Sequence, residues 1–80
     1  MAEKVRVKYK KLGRQQVHGL AHDTGLIEID SRLTGFKELK IHIHERIHTL
    51  NWDMPESDVA KLSYHIARML WTDLKYRRLK

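Results

Sequence analysis

The chain contains no cysteine. Disulfides, thiolate metal sites and thiol nucleophiles are excluded together, so any bound metal must be held by His, Asp, Glu or water. There is no apolar run near the roughly eighteen residues a membrane helix needs, and no signal-peptide pattern; the expectation is a soluble, cytoplasmic protein without a membrane span. Gly13, Gly25 and Gly35 build no phosphate-cradling motif, and no serine stands in a nucleophile pattern. Repeats, linkers and low-complexity segments are also missing.

What is present is short, basic and rich in histidine. Eighty residues make one domain, and a chain of that size buries only about 60% of the surface its unfolded form exposes. Its stability margin is therefore small, and a bound metal would widen it. The net charge of +6 is concentrated at the ends: Lys4, Arg6, Lys8, Lys10, Lys11 and Arg14 at the start, Lys75, Arg77, Arg78 and Lys80 at the finish. Such ends can attract nucleic acid or an acidic partner, but solvated faces are the more ordinary reading in a small domain.

Hydrophobic periodicity divides the chain in two. Val5, Val7 and Tyr9 alternate with Lys4, Arg6, Lys8 and Lys10, the period of a strand over about 4–10. A turn at Leu12-Gly13-Arg14 leads to a less regular second strand, about 15–22, and Asp23-Thr24-Gly25 turns the chain into a third over 26–30. Three strands in this order predict an antiparallel meander. From Leu33 the period lengthens: Phe36, Leu39, Ile43, Ile47 and Leu50 mark a helix over about 34–50, capped by Ser31 or Thr34 and ended at Asn51 in a left-handed conformation. A second helix, about 55–76, carries Val59, Leu62, Ile66, Met69, Leu70 and Leu74 on its expected inner face, with Asp53 and Glu56 resembling a capping box. The fold class expected is α+β, a three-stranded antiparallel sheet followed by two packed helices.

The first helix carries His44-Glu45-Arg46-Ile47-His48. Residues four apart stack on one helix face, so His44 and His48 can offer two imidazoles to one metal while Glu45 stands beside them. At 100° per residue the pair lies roughly 110° from the centre of the apolar stripe, at the rim of the core, where an open coordination position reaches solvent. His42 points about 140° away and reads as a surface residue. A tight hairpin centred near Trp52 sets Glu56 opposite His48, whereas His65 is displaced along the hairpin by roughly 13 Å and Asp58 points aside. Glu56 is the expected third ligand and Asp53 the alternative; a carboxylate spent on the capping box is the competing role for Glu56.

These residues resemble the zincin metallopeptidases, in particular a minimal gluzincin-type core of small bacterial and phage proteins. The resemblance runs from about Leu26 to Tyr76, and its specific part is the motif together with Glu56. It implies Zn2+ bound by His44, His48 and Glu56, Glu45 polarising the attacking water, and an extended peptide or protein substrate paired along strand 26–30. Arg46 occupies a motif position that zincins usually leave uncharged, and it points away from the histidines. Larger zincins carry a further lobe with an oxyanion donor; His18, His22 and Tyr64 are the available donors here, each also readable as an ordinary surface or half-buried side chain. Trp52, Trp71 and Tyr64 read as packing residues in preference to base-stacking platforms. Two rival functions are a degenerate zincin whose metal only staples the fold and a small basic nucleic-acid-binding module.

Overall fold

A computed structural model describes residues 4–13 and 17–79. Gln15, the expected start of the second strand, lies outside the described residues, as do the basic residues Arg14 and Lys80. The order of elements is β1 (Arg6–Lys10), β2 (Gly19–Ala21), β3 (Leu26–Asp30), α1 (Gly35–Leu50) and α2 (Glu56–Arg68), the last continued by one π-turn over Met69–Asp73. No helix among them is long and apolar enough to cross a membrane.

The architecture is α+β, but the sheet is mixed and not an antiparallel meander. Its strand order is β1-β3-β2, with β1 parallel to β3 and β2 antiparallel to it. Alternation of apolar and charged residues marks a strand without stating its neighbour, which is why the pairing escapes the sequence pattern. The β2–β3 hairpin closes through the expected turn. Gly25 stands at φ 90°, where L side chains are rare, and its N–H donates to the carbonyl of His22 at 3.1 Å. Central β3 carries the best-shielded strand residues, Ile27 and Ile29, both fully buried, with Leu12, Val59 and Ala67 completing the apolar core.

Both helices are turned differently from their large-residue stripes. On α1 the buried residues are Glu38, Glu45 and Thr49, because the helix is sandwiched: one side meets the sheet and another meets α2. The Thr49 hydroxyl is satisfied by the carbonyl of Glu45 at 2.8 Å. On α2 the buried residues are Val59, Ser63 and Ala67, while Leu62, Ile66, Met69 and Leu74 are exposed. Small side chains at four-residue spacing allow close approach to α1, and the helix is rotated by roughly 60° from the expected face.

The helix ends also depart from expectation. Thr34 precedes α1 in extended conformation without a side-chain cap, and Asn51 ends it at φ −151°, outside the left-handed region. Pro55 is the N-cap of α2, and Glu56 is its first residue; no side chain caps this start. The Asp53–Glu56 capping box does not form, and the Glu56 carboxylate is used elsewhere.

Candidate metal centre

The α1–α2 hairpin brings one carboxylate against two imidazoles. His44 Nε2 lies 2.6 Å from one carboxylate oxygen of Glu56, and His48 Nε2 lies 2.8 Å from the other. The two rings meet edge to face with centroids 4.9 Å apart. One ligand atom from each of His44, His48 and Glu56 falls within a 4.8 Å span of the others. The helical spacing stacks the histidines, and the short loop after Asn51 returns the chain so that the first residue of α2 faces them.

Exposure differs sharply within this trio. The histidine side chains are 18% exposed and Glu56 is 68% exposed, so the imidazoles are held in the wall while the carboxylate closes from the water side. Trp52 extends that wall: its ring lies 6.4 Å from the His48 ring and nearly parallel to it. The sequence reads this loop tryptophan as a packing residue, and the ring it packs on is that of His48.

Glu45 is buried, with 9% of its surface exposed. Burial pushes its carboxyl above the usual range, His44 and His48 pull it down, and Glu56 pushes it up again. Its side chain rests on β2: a Cβ added at Gly19 would meet Glu45 Cγ at 2.9 Å and Ile41 Cγ2 at 2.8 Å. Gly19 is a residue missed in the sequence, although a glycine inside a strand is itself a sign of close approach.

Other expected participants lie elsewhere. Asp53 is exposed in the loop and is not in the cluster. His42 is half-buried, not a surface residue; Arg46 donates to its Nε2 at 3.1 Å, and burial lowers its pKa, with Arg46 and Arg78 adding to that and Glu38 opposing. His22 pairs with Glu28 at 2.7 Å. The Tyr64 hydroxyl accepts from Arg68 at 2.9 Å, and its ring meets Phe36 edge-on, as does Trp71. His18 and Asp58 are exposed, and His65 packs against Tyr64.

The strand assigned to substrate pairing needs correction as well. Every residue of β3 from Leu26 to Asp30 pairs with β1, and Ile27 to Ile29 also pair with β2. Both ladders of β3 are filled, so no extended peptide can add to it. In the order β1-β3-β2 the strand β2 stands at one edge of the sheet, and α1 packs on its face at Gly19.

Part of the basic character is consumed inside the fold. Lys10 pairs with Glu28 at 3.0 Å and Arg32 with Asp30 at 2.7 Å. The Arg32 guanidinium and backbone N–H together hold the Asp30 carboxyl far below the usual carboxylate range. Arg78 pairs with Glu38, and Arg77 lies 3.5 Å above the centre of the Trp71 ring. Arg6 and Lys8 remain exposed on β1.

Comparison with protein-family models, with curated proteins and with solved structures returns no match. The functional reading therefore stands on the chain's own residues.

The donor set fits zinc. Two imidazole nitrogens and a carboxylate oxygen match the three-ligand set of open, catalytic zinc sites, and their partial exposure leaves room for a fourth position.

Proposed function

We propose that His44, His48 and Glu56 hold one zinc ion and that the protein is a small zincin-like metallopeptidase acting on an extended peptide. The observation that carries this reading is the convergence of the three ligand atoms within 4.8 Å, from a helical pair and from the helix after it. When bound, zinc supplies a Lewis acid that brings the pKa of a coordinated water to about 7. Glu45, adjacent to His44 and buried against Gly19, takes the proton of the attacking water and returns it to the leaving amine. Trp52 shields the His48 side of the centre. The peptide pairs with the outer edge of β2, beside Glu45, because both ladders of β3 are occupied.

The test separates chemistry from binding. Glu45→Gln should keep the metal and reduce hydrolysis of a peptide library by about 10²–10⁴-fold. Wild-type protein loaded with zinc that cleaves no peptide would remove the peptidase assignment and leave the metal site standing.

A second reading is favoured by the size of the core, whose buried apolar residues among those described are Leu12, Ile27, Ile29, Val59 and Ala67. In it the same zinc acts as a staple joining α1 to the start of α2 and offsets an undersized core. Zinc-dependent folding without hydrolysis selects this alternative.

A further inference from the structure

The opposite flank of α1 holds a second constellation that owes nothing to the metal reading. Tyr9, Glu38, Leu39, His42, Leu70 and Trp71 line an opening of about 520 Å³. Its carboxylate belongs to Glu38, whose side chain is only 8% exposed and which is hydrogen-bonded by the Tyr9 hydroxyl. An acidic group at that depth, beside an aromatic face, suits one kind of ligand head: a planar cation that hydrogen-bonds in its plane and stacks above it.

The chain's own tail already demonstrates the match. The Arg78 guanidinium is paired with Glu38, and its Cζ lies 4.2 Å from the centre of the Tyr9 ring. The segment that delivers it has no regular structure. It leaves the π-turn through Lys75 at φ 57° and is tied back by the Tyr76 N–H on the Leu70 carbonyl at 2.8 Å. Arg78 itself is 49% exposed, and the opening beside it persists, with Leu39 and Leu70 as apolar walls. A buried receptor group is thus filled by a half-exposed arginine on an irregular strap.

We propose that this pocket is a receptor for an arginine side chain, filled in cis by Arg78 and open to the arginine of an extended partner peptide that displaces the tail. Charge complementarity selects the ligand, and the arginine already seated shows how the guanidinium lies. A tethered arginine competes at an effective concentration on the order of millimolar. A partner must therefore add a contact, and the apolar walls offer it to a residue next to its arginine.

The experiment titrates N-acetyl-arginine methylamide, and its neutral citrulline counterpart, into full-length wild type and Arg78→Ala, following the Trp71 indole and Gly35 amide resonances. The expected result is saturable binding of the arginine compound to Arg78→Ala, at least tenfold weaker binding to wild type, and none by citrulline or in Arg78→Ala/Glu38→Gln. Equal response to both compounds, or no saturable response in folded Arg78→Ala, overturns the proposal and leaves Arg78 as a clasp. Should Arg78→Ala be unfolded, recovery of its fold by the arginine compound but not by citrulline supports the receptor, and failure to recover overturns it. A wild-type dimer that dissociates on Arg78→Ala assigns the pocket to a second copy and overturns the partner-peptide assignment.

Discussion

Glu38 and Glu45 stand seven residues apart on α1, both turned toward the sheet and both nearly closed to water, with 6% and 9% of their surface exposed. Their partners differ in kind. Glu38 meets a permanent cation, Arg78, and the Tyr9 hydroxyl; Glu45 stands beside the imidazoles of His44 and His48, with the Glu56 carboxylate also near. A buried carboxylate with a fixed guanidinium is a structural joint. One left beside two histidines, with its carboxyl pushed up by burial, is poised to gain and lose a proton.

Chelation strikes the Glu45 side hardest. If the histidines are positioned for zinc, a strong chelator lowers the melting temperature by roughly 10–30 °C, from the binding free energy lost and the small size of the domain. Differential scanning calorimetry reads this. An unchanged melting temperature after confirmed metal removal would leave the site without a stabilising role.

Next in size is Gly19→Ala. The added methyl must displace Ile41 Cγ2 at 2.8 Å, a methyl fixed directly on a branched Cβ, and Glu45 Cγ at 2.9 Å, a mid-chain carbon, for a cost of about 1–3 kcal/mol. Urea unfolding measures it, and the same variant shifts Glu45 and so depresses hydrolysis more than it depresses zinc content.

The smallest effects carry the cleanest contrast, because the two glutamates should answer opposite in sign. Glu38→Gln strips Arg78 of its anion and destabilises by about 1–2 kcal/mol, a modest figure because that guanidinium is half exposed. Glu45→Gln in metal-free protein should melt higher at pH 7. A carboxyl raised in the folded state opposes folding while ionised, so the variant's advantage is full at neutral pH. It shrinks as pH falls through the folded pKa and is gone below the unfolded value of about 4.3. Thermal melts from pH 4 to 8 decide it; a lower melting temperature for Glu45→Gln at pH 7 would break the comparison.

Legibility in the sequence followed the range of the interaction. His44 and His48 are one helical turn apart, and Glu56 is set against them by a short hairpin, so their meeting could be argued from spacing alone. The parallel pairing of β1 with β3 joins Arg6 to Leu26 across the β2 hairpin, and no local pattern encodes it. The periodicity of α2 places Val59, Leu62 and Ile66 inward, whereas the buried row is Val59, Ser63 and Ala67. Val59 is common to both rows; beside it the smaller residues win the packing over the larger ones, because closeness to α1 depends on size and not on hydrophobicity alone. The Arg78–Glu38 pair spans forty residues, which no helical or strand period reaches. A basic tail looked solvated, yet part of it is bound.

The central claim concerns the metal, and elemental analysis of protein purified without chelator tests it most directly, wild type beside Glu56→Ala. The account predicts near-equimolar zinc in the wild type and a large loss in the variant, with both proteins folded by circular dichroism. Wild type that stays metal-free after zinc supplementation, or a Glu56→Ala protein that retains its full zinc, would contradict it.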